Sequence, residues 1–353
     1  MSPGRALAAR LWYAQGAGLG VRLLAPLSSL FGAVVALRRA AFRAGLLRAT
    51  RVPVPVVVVG SIVVGGSGKT PLAAALVEAL RARGRNPGIV SRGYGRKTRD
   101  VREVHPDADP RAVGDEPLLL AQAGVPVFVG RERARAARAL LAAHPDVDVI
   151  VSDDGLQHYA LARDVEIAVV DRARGVGNGR LLPAGPLREP AARLASVDAL
   201  VWRDGTADAV ARTGPPQFAM RYEAGAWRNL VEPGRTIDPA VLTDAATVAI
   251  AGIGDPDAFF AALRAEGFRG RTLAFADHHD YTREDVAFPG APAILMTAKD
   301  AVKCRAMRDA RMWMRPLRVR VDAALFDLVQ RKIDGPEAAR NARLPGDQGS
   351  ARL

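Results

Sequence analysis

Gly65-Gly66-Ser67-Gly68-Lys69-Thr70 sits between an apolar run at residues 56–59 and a helix-forming stretch at residues 71–77. The order is strand, glycine loop, helix, and the loop closes on Lys-Thr. Backbone N–H groups at such a helix start cradle phosphates, the lysine reaches the terminal phosphates, and the threonine hydroxyl serves a Mg²⁺ ion. The loop departs from a full Walker A, because Val63 stands where the first glycine would be. The bland alternative is a glycine turn carrying a surface lysine.

Further polar clusters follow other apolar runs. Residues 147–151 lead into Ser152-Asp153-Asp154-Gly155-Leu156-Gln157-His158. An apolar strand ending in Asp is what a Walker B carboxylate needs in order to reach a metal beside Thr70. Two adjacent acids point in different directions, so one can serve the metal and the other a substrate or a neighbouring loop. Gly114-Asp115-Glu116-Pro117 offers a second carboxylate pair. It reads either as a base that orients a hydroxyl or as a capping turn before a helix at residues 118–123. In Ser91-Arg92-Gly93-Tyr94-Gly95-Arg96 the arginines suit a phosphate clamp and Tyr94 a sugar or base; a mobile basic loop is the alternative. Asp277-His278-His279-Asp280-Tyr281 brings imidazoles among acids, a setting that tunes proton transfer, although such histidines are more often structural.

Positioning these groups requires a scaffold. Apolar runs at 54–59, 88–90, 125–129, 147–151, 166–170 and 199–202 read as buried strands, with helical stretches at 72–83 and 131–143 among them. The alternation predicts a doubly wound, mostly parallel sheet, whose ligands collect at the carboxyl ends of the strands. Composition changes near 204–230, where Gly and Pro recur. A second α/β pattern follows: strands at 247–253, 272–275 and 293–297, with Asp255-Pro256 opening a helix that runs through residue 266. Residues 218–222 and 312–321 are expected to pair as a two-stranded link between the halves.

The chain has 353 residues, 49% hydrophobic, with a net charge of +13. One cysteine, Cys304, excludes an intrachain disulfide, and five histidines show no zinc-type spacing. A resident metal is expected to be Mg²⁺ on oxygen ligands. Residues 1–51 hold eight arginines and no acid, and the first acidic residue is Glu78. Such a segment meets either nucleic acid or an anionic membrane. Its apolar content favours the membrane. Residues 23–37 are uncharged, short for a span of about 20 residues, and interrupted by Pro26. An interfacial helix with snorkelling arginines is expected.

The order of these motifs, together with Gly177-Asn178-Gly179 and Leu181-Leu182-Pro183-Ala184-Gly185-Pro186-Leu187-Arg188-Glu189, resembles the tetraacyldisaccharide 4′-kinase (lipid A 4′-kinase) family from about residue 10 to about 325. The resemblance implies a P-loop NTPase-like fold with a second, smaller α/β domain. Its expected parts are a membrane-contact segment at 1–50, a P-loop kinase domain at 51–215, the smaller domain with its two-stranded linker at 216–325, and a disordered tail at 334–353. It implies ATP-dependent phosphorylation of the 4′-hydroxyl of a lipid A disaccharide precursor, with Mg²⁺, at the cytoplasmic face of a Gram-negative inner membrane. It gives Asp115 and His278 as the catalytic pair. ATP falls to Gly65, Gly66, Ser67, Gly68, Lys69 and Thr70, and the metal to Thr70, Glu116, Asp153 and Asp154. Arg92, Tyr94, Gln157, His158 and Asn178 are the candidate substrate or phosphate contacts. No nucleic acid and no obligate protein partner are expected. Two departures stand out: Ser61 where the family has Asn, and Ala298 where it has Glu in Thr-Glu-Lys-Asp. A P-loop switch or metallochaperone-type protein would explain the glycine loop but not the 177–189 segment.

Overall fold

The computed structural model describes residues 11–13, 18–205 and 214–335. A long helix α1 (Leu19–Arg43) precedes β1 (Val56–Gly60), α2 (Lys69–Ala82), β2 (Pro87–Ser91), β3 (Arg102–Glu103), α3 (Pro110–Val113), α4 (Asp115–Ala121), β4 (Val127–Val129), α5 (Arg133–Ala143), β5 (Val149–Asp153), β6 (Val165–Asp171) and β7 (Ala199–Arg203). Then come β8 (Gln217–Ala224), β9 (Arg228–Asn229), α6 (Pro239–Thr243), β10 (Val248–Ala251), α7 (Pro256–Ala265), β11 (Arg271–Ala274), β12 (Ile294–Thr297), α8 (Ala298–Cys304), β13 (Met312–Arg315), β14 (Leu317–Val321) and α9 (Ala323–Asp334).

Nine strands form the larger sheet in the order β14-β8-β7-β6-β1-β5-β2-β4-β3, and five form the smaller one, β11-β10-β12-β13-β9. The central pairs are parallel, and the antiparallel pairs are β14 with β8, β3 with β4, and β13 with β9. Every residue of β1 and β5 is buried, because helices cover both faces of the sheet. Valine suits such positions: its branched side chain packs on the pleat and loses little freedom there.

Asp-Pro opens three helices, at Asp109-Pro110, Asp238-Pro239 and Asp255-Pro256, and each aspartate accepts a bond from a backbone N–H of the first turn. Proline at the first helical position loses no needed donor and brings its φ already set.

The expected pairing of residues 218–222 with 312–321 forms over its second part, where β14 runs antiparallel to β8 with Val321 opposite Met220 and Val319 opposite Tyr222. Residues 312–321 divide at Pro316, so β13 belongs to the smaller sheet and β14 to the larger one. Proline cannot donate to a ladder, which makes it a natural crossing point. Beyond β14 the chain returns to the first unit. Leu325, Val329 and Ile333 of α9 join the core built on Leu72, Leu76 and Leu80, and Arg83 holds Asp327 at 2.7 Å. Asp334 therefore ends a packed helix instead of beginning a tail, and residues 336–353 lie outside the described residues.

Pro26 does not interrupt α1, which runs 25 residues through it. That length corresponds to about 37 Å, and the helix is long and apolar enough to cross a membrane by length and composition. One side docks on the larger unit: Ser28 Oγ donates to the Leu181 carbonyl (2.7 Å) and Arg38 to the Gln157 carbonyl (3.0 Å). The rest carries exposed Leu19, Leu23, Leu27, Leu30, Val34 and Leu37.

Candidate active site

At the end of β1 the chain leaves the sheet through Gly60, where a Cβ would stand 2.7 Å from Leu156. The glycine loop follows. Gly68, at φ 97°, caps α2, a left-handed geometry that disfavours any side chain. The Lys69 ammonium bonds the Gly65 carbonyl (3.2 Å) and lies 3.9 Å from Asp154. Thr70 Oγ1 donates to the Asp153 carboxylate, at 3.1 and 3.4 Å from its two oxygens.

The 177–189 segment explains why Val63 replaces the expected glycine. Val63 is buried and bridges Leu187, the Val64 N–H donates to the Pro186 carbonyl (2.9 Å), and the Arg188 N–H donates to the Ile62 carbonyl (2.7 Å). The front of the loop is thus zipped to this segment, which presents Arg188. The Asn178 carboxamide is engaged within the segment's own neighbourhood: it donates to the carbonyls of Leu11 (3.3 Å) and Ala184 (2.9 Å) and accepts from the Arg180 N–H (3.1 Å).

β8 supports the loop from the other side. A Cβ on Gly68 would stand 2.6 Å from the Tyr222 hydroxyl and 2.7 Å from Met220, while Arg203 donates to the Gly66 carbonyl (2.6 Å) and pairs with Asp171. Sequence reading passed over Arg203 and Tyr222, which lie far from any motif and reach the loop only through strand order.

At the end of β5 the two acids diverge as expected. Asp153 faces Thr70, while Asp154, at φ 48°, turns to Arg188, whose Nη1 lies 3.0 and 2.9 Å from its oxygens. Burial would raise both carboxyls. For Asp154 the charges of Lys69 and Arg188 outweigh burial and hold it to about 2. For Asp153, burial joined by the negative charges of Glu116 and Asp154 pushes it up to about 7. Buried Arg133 donates to the carbonyls of Gly130 (2.8 Å) and Asp153 (3.2 Å) and has an Nε without a hydrogen-bond partner; burial lowers it to about 10. Gln157 donates to the Ser61 carbonyl (3.1 Å). His158 is driven down to about 3, first by burial and then by Arg133 and Arg92, so it is neutral at physiological pH. The Arg92 side chain is exposed.

Asp115 is the first residue of α4, with Gly114 as the N-cap, so the capping-turn alternative does not describe it. Gly93 and Gly114 let their two loops touch: a Cβ on Gly93 would stand 2.6 Å from the Val113 carbonyl, and one on Gly114 3.0 Å from the Tyr94 carbonyl. Asp115 accepts from the Glu116 N–H (3.0 Å) and faces His278 Nδ1 at 2.9 and 3.0 Å. His278 comes from the smaller unit, at φ 62° after β11. Burial would raise the Asp115 carboxyl; the His278 bond and the Lys299 charge outweigh it and leave it below the usual range. The Tyr94 ring lies 5.1 Å from that of His278. His279 is occupied elsewhere, bonded to Asp285 at 3.0 Å and stacked on Phe275. Lys299, absent from the expected site, stands among Asp277 (3.2 Å), His278 Nε2 (3.3 Å), Glu116 (3.4 Å) and Asp115 (3.8 Å). The Thr297-Ala298-Lys299-Asp300 motif was the signal that could have found it.

The two α/β units therefore meet through the Asp115–His278 and Glu116–Lys299 contacts, and Asp115 and Glu116 belong to the same unit that carries the glycine loop with buried Asp153 on Thr70. Among the described residues no group of three or more His, Cys, Asp or Glu is placed to hold a metal ion by itself. The chain is 51% identical over 312 residues to a tetraacyldisaccharide 4′-kinase of Chromobacterium violaceum, covering 87% of this chain and 91% of that one. It is 48% identical over 319 residues to one of Dechloromonas aromatica, covering 90% and 94%. The fold matches a crystal structure of LpxK from Aquifex aeolicus in complex with ATP, with a TM-score of 0.76, 29% identity, and coverage of 89% of this chain and 100% of that one. The family model of the tetraacyldisaccharide-1-P 4′-kinases matches residues 21–334, and the chain belongs to that family.

Proposed function

We propose that this protein transfers the γ-phosphoryl group of ATP to the 4′-hydroxyl of a tetraacylated glucosamine disaccharide 1-phosphate, a step of lipid A biosynthesis, at the cytoplasmic face of a Gram-negative inner membrane. The observation that carries the reading is the Asp115–His278 contact of 2.9 Å between the two units, one residue from Glu116, whose charge bears on Asp153 beside Thr70. A carboxylate kept ionised and oriented is what an attacking hydroxyl needs. Phosphoryl transfer passes through a loose transition state in which positioning and charge neutralisation dominate, so a weak but well-placed base suffices.

Asp115 accepts the hydroxyl proton while His278 holds the carboxylate in place. Lys69 and the loop amides bind the β- and γ-phosphates, and Arg188 and Arg92 add positive charge. Tyr94, Gln157 and His158 form the remaining wall of the acceptor site, and the Asn178 carboxamide keeps the Arg188-bearing segment in shape.

The residues present fit Mg²⁺. Asp153 is a buried carboxyl raised to about 7 with a threonine hydroxyl on it, a site short of positive charge. Mg²⁺ usually takes one or two protein carboxylates together with phosphate oxygens and water, so a small donor set is sufficient. Thr70 and Asp153 would hold it, with Glu116 and Asp154 nearby. When bound, it neutralises charge on the phosphates.

Helix α1 supports a peripheral membrane seat. Its docked side touches the enzyme and its other side offers a leucine stripe, with Arg22, Arg38, Arg39 and Arg43 on the same helix. A helix held along one side by its own globular unit rests at the interface more readily than it spans, and its arginines reach lipid phosphates. The decisive experiment incubates the protein with radiolabelled ATP and the disaccharide lipid. Labelled lipid is expected. ATP hydrolysis without lipid labelling would favour a P-loop switch instead.

A further inference from the structure

Lys299 stands at the start of α8 in the smaller unit, and its side chain is only 18% exposed. Its hydrogen-bond partners are Asp277 Oδ1 (3.2 Å), Glu116 Oε1 (3.4 Å) and His278 Nε2 (3.3 Å). An ammonium has three hydrogens to donate and no lone pair to accept with, so these partners use its whole capacity. Each must therefore accept, His278 Nε2 included. Asp277 Oδ2 stands 3.7 Å from Nε2, beyond hydrogen-bond range. With Nε2 accepting, the single proton of a neutral imidazole sits on Nδ1, the nitrogen 2.9 Å from Asp115.

We propose that Lys299 is the positioning residue of the phosphoryl-transfer site, fixing His278 as the Nδ1–H tautomer that donates to Asp115 and tying the two units together through Glu116 and Asp115 on one side and Asp277 and His278 on the other. The inference rests on the reading of Asp115 and His278 as the catalytic pair.

The charge arrangement gives Lys299 its second task. Asp115, Glu116 and Asp277 all lie within 3.8 Å of the ammonium, two from the larger unit and one from the smaller. Without the lysine, these carboxylates would repel one another across the seam that must close. The lysine stands 3.8 Å from the Asp115 carboxylate, beyond hydrogen-bond range. It acts through the imidazole, and an imidazole held in the other tautomer would present a lone pair, not a proton, to Asp115.

The test begins with the unaltered full-length protein. Long-range ¹H–¹⁵N correlation of ¹⁵N-histidine-labelled protein, assigned with His278→Gln, is expected to show the Nδ1–H tautomer at His278; a dominant Nε2–H tautomer overturns the proposal without any activity being measured. Lys299→Met then removes the charge at similar length. We expect kcat to fall by about 10²-fold, in the range for a displaced acid–base group, with the KM for ATP within about 2-fold, because the phosphate loop is untouched. In a His278→Ala background the same substitution is expected to cost less than about 3-fold, since residues acting as a unit are not additive. An equal loss in both backgrounds would show that Lys299 acts independently of His278 and overturns the assignment. If the wild type labels no lipid while the tautomer is as expected, the functional reading fails and with it the role in phosphoryl transfer, whereas the control of the His278 tautomer by Lys299 stands.

Discussion

Asp153→Asn is expected to stabilise the nucleotide-free protein while abolishing most of its activity. The carboxyl is 1% exposed and is pushed from 3.8 to about 7 by burial and by the charges of Glu116 and Asp154, against Lys69 and Arg133. A carboxyl with a raised folded pKa binds more protons folded than unfolded between the two values. Stability therefore falls as pH rises from about 4 to about 7 and stays reduced above that. Each pH unit between the values carries about 1.4 kcal/mol, so the ceiling is about 4 kcal/mol. Asparagine carries no charge at any pH and keeps an oxygen for the Thr70 hydroxyl. The variant should exceed the native protein in unfolding free energy by about 2–4 kcal/mol at pH 8, with the difference shrinking toward pH 4. Turnover should fall by at least about 10²-fold, because on the proposed assignment Asp153 must be ionised to hold Mg²⁺. Urea unfolding in EDTA across that pH range, beside lipid labelling with Mg²⁺ and ATP, measures both. A variant less stable at pH 8, or a difference independent of pH, would refute the reasoning.

Asp115→Asn and His278→Ala should each reduce kcat strongly, and the double variant should be hardly worse than the poorer single one; multiplicative losses at saturating substrates would show that the two act separately. Leu23→Glu with Leu30→Glu, which changes only the exposed stripe of α1, should weaken sedimentation with anionic vesicles and raise the KM for bilayer lipid while leaving the KM for ATP unchanged. Equal sedimentation would place the membrane contact elsewhere. His158 is held at about 3 against 6.5. The unfolded chain takes up its proton first, so this residue's contribution is intact above about 6.5 and declines as pH falls toward 3, opposite in direction to Asp153. His158→Gln should therefore flatten the acid side of the stability–pH curve by up to about 1.4 kcal/mol per pH unit, read by denaturant unfolding between pH 6 and 4. An unchanged slope would mean that His158 gains its proton without opposition.

The glycine loop and the acids after β5 were legible in the chain because their order is local: strand, glycines, Lys-Thr, helix, and an apolar run ending in Asp. Backbone geometry and a short span of sequence dictate that much, and the parallel sheet follows from the alternation of buried runs. The 177–189 segment was recognisable as a motif, but its task was not. Only the fold shows it zipped to Val63 and Val64, which explains a valine at a glycine position. Pro26 read as a break and is carried within α1, because a single missing bond near the start of a 25-residue helix leaves the remaining turns intact.

What tertiary structure alone decided are the contacts between residues far apart in the chain. Arg203 and Tyr222 reach the loop because β7 and β8 lie beyond β6 in the sheet, an order no local pattern encodes. The roles of His278 and His279 separate only in space: one faces Asp115, 163 positions away, while its neighbour is bonded to Asp285 six positions on. Lys299 lies in a recognisable Thr297-Ala298-Lys299-Asp300 motif, but its partners Asp115 and Glu116 come within 3.8 Å only through long-range packing.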